Sequence, residues 1–412
     1  MRYVTLPFLT LLTIATTAQV TVTTAPANAQ QTYYSLANGV VGSNMLADWD
    51  LAFELTGITG SILLNTAKGH KLYKAPFTIA QWSSIDTTGL AATWPQQHNS
   101  ETDWSSGAFN QGLTANPFDL GWGIYNFQTH NITGDSCFVM QLNGGAWKKL
   151  RIDAFTAATN AFTFTWANLD GSSEQSGSLT RSAFPGKNFG YYDLNANATL
   201  DLEPASADWD LLFTKYIGYV TQPFPTMYPV AGVLQNKLVE AIQIDGVPTA
   251  IATFWGQPFS PDINIIGFDW KNFNQGTFTW EYAQDRTYFV KDHAGDIYKL
   301  VFTAYGGSAN GNMTFNQELV GQAGVDESGR ATALAIAPNP VVSSASLIFS
   351  ADADAAMLSV VDLNGRIVLQ QPLTGLHGLV QRPIDMSALP AGLYIIRVQG
   401  DGIDAAVRFV KE

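Results

Sequence analysis

The sequence has few of the residues that support several common kinds of site. Cys137 is the one cysteine among 412 residues, so an internal disulfide is excluded. It begins the apolar run "CFVMQL", which predicts a small buried residue in a strand rather than a nucleophile. Charged residues make up 13% of the chain, and acidic residues outnumber basic ones to give a net charge of −13. That balance argues against nucleic acid or an anionic membrane as the partner, because both select clustered Lys and Arg.

Long apolar runs are also missing. The run from Val4 to Ile14 is too short to span a bilayer, and no later segment approaches the roughly 20 apolar residues that spanning requires. Arg2 before this run and the small-residue triplet "TTA" after it predict a signal peptide over residues 1–18. The triplet "ANA", which ends at Ala29, is the alternative cleavage site. The sequence therefore predicts export.

Capped amphipathic helices are not evident, whereas strand patterns run through most of the chain. Segments such as "FTFTW" (162–166) and "RTYFVKD" (286–292) concentrate β-branched and aromatic residues. Gly, Asn and Asp separate them, as in "LNGGAW" and "DHAGDIY", with the chemistry of hairpin turns. The predicted fold class is all-β.

Three short sequence motifs each occur twice, in the same order. "YYSLANG" (33–39) is echoed by "YYDLNAN" (191–197), and "DWDLAF" (48–53) by "DWDLLF" (208–213). "GAWKKLRIDAF" and "GDIYKLVFTAY" form the third pair, 150 positions apart. This order indicates a duplicated domain, and the period is far longer than the roughly 20 to 50 residues of solenoid and propeller units. The alternation of the two Trp residues with Leu and Phe predicts that Trp49 and Trp209 are buried.

The C-terminal part differs from the rest of the chain in composition and in strand pattern. The small, polar segment 323–335 reads as a linker, and short strand patterns follow it, with Asn364-Gly365 as a hairpin signal. "APNP", "VVDLNGRIV", "LPAGLYIIRVQ" and "VRFVKE" resemble the C-terminal sorting domain of type IX secretion cargo, over 336–412. The resemblance implies a small Ig-like β-sandwich, and as partners the secretion machinery and a surface sortase that removes the tail. It also implies either release of the cargo or its attachment to the cell surface.

The duplicated body resembles a second family. "TYYSLANG", "WDLAF" and the closing "GDIYKLVFTAYGGSANGNMTF" are similar to segments of the HmuY-type haem-binding lipoproteins. The resemblance implies two tandem, related antiparallel β domains, at residues 19–187 and 188–322. It also implies a secreted or cell-surface, non-catalytic protein that captures haem. The alternative is a structural or adhesive surface protein that keeps the scaffold without a haem pocket.

Haem needs axial ligands, typically paired histidines in that family. His98 and His130 lie in the variable middle of the first copy, beside a Trp-rich stretch, and are the candidate ligand-binding residues. The alternative reading makes both of them exposed loop histidines without a ligand. That stretch contains four tryptophans that could form a platform for a flat ligand or simply fill a core: Trp82, Trp94, Trp104 and Trp122.

Two groups of acidic residues are candidates for a catalytic or metal site. Asp48, Asp50, Asp208 and Asp210 form the recurrent carboxylate pairs, but no opposing acid stands at a recognisable position, so solvent-facing aspartates beside a buried Trp are favoured. The segment Asp193–Glu203 has alternating oxygen donors like a calcium loop, although Ala198 occupies the turn position. Serine-nucleophile, zinc and phosphate-loop motifs are missing. The sequence therefore predicts no enzyme and no certain cofactor or metal site.

Overall fold

The computed structural model describes residues 18–57, 59–221, 223–321, 334–362, 366–400 and 403–412. The chain divides into two compact units, the body up to Gly321 and the tail from Gln322. The predicted signal peptide and most of the predicted linker lie outside the described residues. In the part that is described, no helix has the length and hydropathy needed to cross a membrane.

The body is built almost entirely from strands. In chain order they are β1 (Ala18–Thr23), β2 (Gln30–Ser35), β3 (Gly39–Met45), β4 (Leu51–Glu54), β5 (Ile62–Leu64), β6 (Lys71–Thr78), β7 (Gln96–Gln97), β8 (Gly123–Tyr125), β9 (Ile132–Gly134), β10 (Ser136–Gln141), β11 (Trp147–Thr156), β12 (Ala161–Asn168), β13 (Gln175–Thr180), β14 (Phe189–Asp193), β15 (Ala198–Leu200), β16 (Leu211–Val220), β17 (Thr226–Gln235), β18 (Glu240–Ile244), β19 (Lys271–Asn274), β20 (Thr279–Tyr282), β21 (Thr287–Lys291), β22 (Ile297–Tyr305) and β23 (Asn312–Gly321). Two single-turn helices, α1 (Leu90–Thr93) and α2 (Gly307–Asn310), and several 3-10 turns connect them. The prediction of an all-β fold is confirmed.

The described residues of the tail form five strands in one antiparallel sheet: β24 (Ala335–Ala337), β25 (Ser344–Val361), β26 (Ile367–Asp385), β27 (Gly392–Gly400) and β28 (Ile403–Lys411). β25 and β26 are 18 and 19 residues long, because apolar side chains continue through segments that the sequence suggested were separate short strands. They pair as far as Val361 with Ile367, which brackets the predicted hairpin turn at Asn364-Gly365. The turn itself lies outside the described residues.

The body forms two sandwich-like lobes. Lobe A consists of β4 to β15, with one sheet in the order β13-β12-β11-β10-β6-β7 facing another in the order β15-β14-β4-β5. Lobe B has the corresponding sheets β1-β23-β22-β21-β18 and β17-β16-β2-β3. Each lobe encloses an aromatic core, in which Phe53 stacks on Phe164 in lobe A and Phe213 on Phe315 in lobe B.

The two copies of the repeat exchange their first strands. β2, from the first copy, pairs with β16 of the second, so that Tyr34 lies opposite Leu211. β14, which begins the second copy, pairs with β4 of the first, so that Tyr192 lies opposite Leu51. Lobe B is therefore completed by residues 18–45 from the start of the chain.

Equivalent details recur in both lobes. The pairing of β11 with β12 shifts register between Ile152 and Ala154, and that of β22 with β23 shifts between Phe302 and Ala304. These bulges lie 150 positions apart, the spacing of the third repeated phrase. The two copies therefore share a β-bulge at equivalent positions as well as a repeated sequence motif.

The boundary predicted between residues 187 and 188 does not coincide with a break between units. The body is one unit up to Gly321, and strands of both copies share sheets on either side of that position. The sequence copies are sequential, whereas the lobes are not. The reason is that β1 and β2 of the first copy pair with β23 and β16 of the second, and β14 of the second copy pairs with β4 of the first.

Candidate functional site

The exchanged strands meet in an aromatic cluster between the lobes, formed by Tyr33, Trp49, Tyr191 and Trp209, which we call the junction cluster. Tyr33 lies edge-on to Trp209 and Tyr191 edge-on to Trp49, each with ring centroids 5.1 Å apart. The hydroxyls of Tyr33 and Tyr191, equivalent residues of the repeat, are 3.0 Å apart. The cluster is therefore nearly symmetric about the contact between the two hydroxyls.

Trp49 and Trp209 are 7% and 3% exposed, which confirms their predicted burial. Their position differs from the prediction, because Trp49 does not pack with Leu51 and Phe53. Trp209 likewise packs with Leu212 and not with Leu211 and Phe213. Trp49 ends a 3-10 turn before β4 and packs with Ala52 and Tyr191, away from the lobe A core. The two tryptophans thus pack at the junction between the lobes and not in the core of either lobe.

A cavity of about 80 Å³ opens beside the junction cluster, and we call it the junction cavity. Leu46, Leu63 and Leu212 add to its walls, and Trp104 and Phe189 lie against each other on another side with ring centroids 5.8 Å apart. At roughly 10 to 15 Å³ for each water-sized position, it has room for a handful of waters. A porphyrin needs a pocket of several hundred Å³, so this cavity does not suit haem.

Glu203 is the buried acid of the junction cavity, and only 2% of it is exposed. Burial raises the pKa of this carboxyl to about 7, although hydrogen bonds from the amides of Asn188 and Phe189, at 3.2 and 3.0 Å, oppose the rise. The side chain is therefore protonated in part of the molecules at neutral pH. It can switch between donor and acceptor inside an aromatic cavity.

A larger, open groove of about 730 Å³ adjoins the cavity on lobe B, and we call it the lobe B groove. Glu101 and Tyr216 line both spaces. The other groove side chains are aromatic, amide, hydroxyl, aliphatic and charged: Tyr219, Phe268, Gln243, Asn264, Asn272, Thr221, Val220, Ile265, Asp269 and Lys271. The groove thus combines rings with many hydrogen-bonding groups.

The loop around Glu101 belongs to lobe A but is fastened to lobe B. Glu101 Oε1 accepts a hydrogen bond of 2.9 Å from the Tyr219 amide on β16. The amide of Ile263 donates to the Thr102 carbonyl at 3.1 Å, and the indole of Trp104 donates to the Gln235 carbonyl at 2.8 Å. These three bonds hold the carboxylate at the edge of the groove.

Two groove residues have strongly shifted pKa values. Burial raises the pKa of Tyr216 well above its ordinary value, and the nearby charges of Glu101 and Asp269 add to the rise. Burial lowers the pKa of Lys271 to about 7, against the opposing effect of Asp269. Lys271 Nζ donates to the Ala231 and Phe268 carbonyls at 2.5 and 3.2 Å, so its amine points into the protein wall.

His98 and His130 are placed on different pockets. His98 is half-buried, lines a surface pocket with Pro95 and Gln111, and has a pKa lowered by burial. His130 is exposed, and its Nδ1 lies 2.7 Å from the Tyr125 hydroxyl beside a second pocket. The structure does not bring the two imidazoles to one described cavity.

The four tryptophans of the Trp-rich stretch lie in two kinds of place, the protein core and the junction cavity. Trp82, Trp94 and Trp122 are buried, and the Trp82 indole donates to Glu174 at 2.7 Å. Trp104 alone of the four lines the junction cavity. Cys137 is buried as predicted, burial raises its pKa to about 11, and its thiol donates to the Thr78 carbonyl at 3.3 Å.

The prediction of solvent-facing aspartates holds for Asp48 and Asp208, which are exposed, and is wrong for Asp50 and Asp210, which are 3% and 5% exposed. Asp50 Oδ2 accepts the amide of Leu194 and Asp210 Oδ2 accepts the amide of Leu36, each at 2.8 Å. Each aspartate therefore fastens the turn that follows an exchanged strand.

These buried carboxylates also have cationic or imidazole partners. Asp50 Oδ1 lies 2.7 Å from both Lys68 Nζ and His70 Nε2, and Asp210 Oδ1 lies 3.2 Å from His293 Nδ1. Burial alone would raise the pKa of Asp50, but the bonds from His70, Lys68 and Leu194 outweigh it and leave the pKa below its ordinary value. The hydrogen bond to Asp210 likewise raises the pKa of His293.

The segment from Asp193 to Glu203 forms a turn whose oxygens are engaged by protein donors. Asp193 Oδ1 accepts the amides of Asn195 and Ala196, at 2.8 and 3.1 Å. Asn197 has a φ of 50°, and Gly39 at the equivalent point of the first copy has a φ of 82°, a conformation that Gly and Asn tolerate best. Within the described ranges, no group of three or more His, Cys, Asp or Glu side chains is arranged to hold a metal ion.

Glu101, Glu203, Tyr216 and Lys271 were not singled out from the sequence. They share no motif, and they line two adjoining spaces: Glu203 lines the junction cavity, Lys271 lines the lobe B groove, and Glu101 and Tyr216 line both. The one available signal was Glu101 itself, which lies in "PQQHNSETD" beside the Trp-rich stretch.

Residues 335–412 match the family model described as the secretion system C-terminal sorting domain. The predicted type IX sorting tail is confirmed, and it marks the chain for export to the cell surface or secretion. No curated protein matches the chain.

A solved structure of PorZ, described as an essential bacterial surface component of the type IX secretion system of Porphyromonas gingivalis, is similar at 10% identity with a TM-score of 0.16. The alignment covers 70% of this chain and 44% of that structure, and so weak a likeness carries no argument. The resemblance to haem-binding lipoproteins gains no support from these comparisons.

Proposed function

We propose that the chain is a non-catalytic binding protein that the type IX machinery exports, and that it acts in adhesion outside the cell. The observation that carries the export part of the proposal is the sorting domain at 335–412, which follows a body that forms a separate compact unit. Separate folding suits a tail that is recognised by one machine and cut from its cargo.

Three side chains with catalytic potential have structural roles in the body, which supports a non-catalytic function. Asp50 and Asp210 fasten the exchanged turns, and the Cys137 thiol is buried with a raised pKa. A cysteine nucleophile needs the thiolate, which burial disfavours here. The open lobe B groove supplies the kind of polar, aromatic surface that a binding protein requires.

The export step is tested by deleting Pro338–Glu412 in a bacterium that has type IX secretion. We expect the full chain in the medium or on the cell surface, and the truncated chain folded in the periplasm. Fusion of residues 335–412 to an unrelated periplasmic protein is the matched control and should redirect that protein outward. A truncated chain that reaches the outside at the normal level would overturn the proposed export route.

Haem capture is the second candidate, and one observation favours it. His98 Nδ1 is buried and has no hydrogen-bond partner among the described residues, and burial lowers the pKa of the ring, which favours the neutral form that iron ligation requires. Haemin titrated into the mature full-length chain should then give a saturable, sharpened Soret band at about one equivalent.

The histidine variants separate the two candidate ligands. His98→Ala should abolish the band, whereas His130→Ala should weaken it only if the two residues act together. His377→Ala, on the tail, is the control, because that imidazole lies in the other unit. A flat titration, or a band unchanged in the His98→Ala, His130→Ala double variant, would rule out this site.

A further inference from the structure

The lobe B groove has the size and the shape of a site for an extended ligand. Its volume of about 730 Å³ falls within the range of roughly 300 to 1,000 Å³ that holds organic ligands in proteins. It lies on the body's surface beside the junction cavity, and the two spaces meet at Glu101 and Tyr216. A chain-like molecule can therefore enter from the open side.

The groove wall offers rings and hydrogen-bonding groups in alternation. Tyr219 is 51% exposed at the rim, and the Phe268 ring lies edge-on to Tyr216 with centroids 6.5 Å apart. Gln243 and Asn264 add amides, each with both donor and acceptor atoms. Sugar rings have apolar C–H faces and a rim of hydroxyls, so this mixture fits a saccharide better than a lipid chain.

One hydroxyl in the wall needs a partner that the protein does not supply. Tyr216 Oη is buried and has no hydrogen-bond partner in the described part of the chain. Gly267, with a φ of 56°, also lines the groove beside this hydroxyl, and a Cβ at that position would lie 3.9 Å from Tyr216 Oη and 2.9 Å from the Asn264 carbonyl oxygen, so a side chain there would crowd the wall. Buried hydroxyls are nearly always paired, and a ligand hydroxyl placed there would pair with this one.

The charges of the groove select against acidic ligands. Glu101 and Asp269 are the carboxylates of its lining, and Asp269 also lies 2.9 Å from Arg286 NH1. Lys271 directs its amine toward backbone carbonyls behind the wall. With a chain charge of −13, an anionic polymer is repelled, whereas carboxylates accept hydrogen bonds from neutral hydroxyls.

We propose that the lobe B groove binds a neutral, hydroxyl-rich oligosaccharide segment, with Tyr219 as the stacking platform and with Tyr216 and Glu101 as hydrogen-bonding residues. The inference rests on the proposed function, since it names the ligand class for an exported binding protein. Glu101 is already held by the backbone amide of Tyr219, so the carboxylate is fixed relative to the backbone of the platform residue before a ligand arrives.

The test measures binding of the purified mature chain, with its tail, to defined polysaccharides by affinity electrophoresis and calorimetry. The probes are three neutral polymers, an α-glucan, a β-glucan and a mannan, and two acidic ones, polygalacturonate and chondroitin sulfate. We expect retardation by at least one neutral polymer and none by the acidic polymers at low ionic strength.

Three variants locate the site. Tyr219→Ala should weaken binding about tenfold, as for the loss of an aromatic anchor, and Tyr216→Phe should weaken it several-fold by removing one hydroxyl. Tyr228→Ala is the matched control, because Tyr228 is 57% exposed on the neighbouring strand β17 but does not line the groove. Its affinity should equal that of the parent chain.

Three results would overturn the inference: no binding to any neutral polymer, binding to acidic polymers alone, or neutral binding that Tyr219→Ala and Tyr216→Phe leave unchanged. The binding assay uses purified protein and does not depend on export. An exported chain that binds no glycan therefore contradicts this inference alone. A glycan-binding chain that reaches the outside without its tail contradicts the proposed export route alone.

Discussion

Single residues of the junction cluster carry large parts of the body's stability. Trp49 and Trp209 each contact an exchanged strand through Tyr191 and Tyr33, so replacing either with Ala leaves a void between the lobes. We expect each substitution to lower the free energy of unfolding by about 3 to 5 kcal/mol, the usual cost of truncating a large buried aromatic. Guanidinium denaturation of the mature chain measures the change.

Trp255 provides the matched control for these two tryptophans, because it is 77% exposed. Trp255→Ala should change stability by no more than about 0.5 kcal/mol, as is usual for exposed positions. An effect of Trp49→Ala as small as this would contradict the structural role assigned to the cluster.

Glu203 should make stability depend on pH in the direction opposite to a salt-bridged acid. Its pKa is raised by burial to about 7, so the folded chain holds a proton that the unfolded chain has already released. Stability is therefore greatest below the unfolded value, near 4.5, and falls as pH rises toward 7, by on the order of 3 kcal/mol for this group.

The Glu203→Gln variant isolates that contribution, because an amide keeps the shape without the ionisation. The difference in unfolding free energy between the parent and the variant should shift in favour of the variant as pH rises from 4.5 to 7. Denaturation at several pH values in this window measures it. A difference that stays constant with pH would show that Glu203 does not titrate there.

Burial of Trp49 and Trp209 could be predicted from a repeated apolar phrase, but the burial of Asp50 and Asp210 could not. Their amide partners, Leu194 and Leu36, lie 144 and 174 positions away. The local sequence pattern shows that a charged residue flanks a buried Trp, but it cannot show which distant backbone amide will donate a hydrogen bond to that residue. The same holds for Glu203, Tyr216 and Lys271, whose surroundings come from separate parts of the chain.

At the scale of elements, substitution of Asp50 or Asp210 tests which copy of the repeat stabilises the turn after each exchanged strand. Asp210→Ala should speed hydrogen exchange at the Leu36 amide about tenfold or more, because a charged hydrogen bond across the copies is lost. Asp50→Ala should do the same at Leu194. Exchange measured by mass spectrometry on fragments covering 30–45 and 189–200 separates the two.

Each variant serves as the control for the other. Asp210→Ala should leave Leu194 protected, and Asp50→Ala should leave Leu36 protected. If the strands paired within their own copies, the effects would fall on the opposite turns. That pattern would refute the exchange.

The presence of the strands could be predicted from the sequence, because segments rich in β-branched and aromatic residues are separated by Gly- and Asn-rich turns. Strand pairing did not follow, and the duplication itself is the reason. "WDLAF" and "WDLLF" are nearly identical, so β2 and β14 each meet two strands of almost equal chemistry. The choice depends on connection lengths and on the whole junction, which no local pattern encodes.

For the whole molecule, shared sheets predict that the lobes lose structure together. Calorimetry of the mature chain should show one transition for the body and a separate one for the tail, since these are the two compact units. Trp49→Ala and Trp209→Ala should lower the same body transition, although the residues belong to different copies. Separate transitions for lobes A and B would contradict this cooperativity.

The pairing of β1 with β23 also sets an order of events in time. Thr21 and Thr314 form a hydrogen bond across 293 positions, so the strand nearest the start of the chain waits for one of the last strands of the body. A chain that is delivered through a pore from its N-terminus can complete lobe A from residues 51–200 while β1 and the β2–β3 hairpin still lack their partner strands β23 and β16. Long-range pairing of this kind is slow and leaves strand edges open. During delivery, residues 18–45 are therefore the segment that a periplasmic chaperone has most reason to hold.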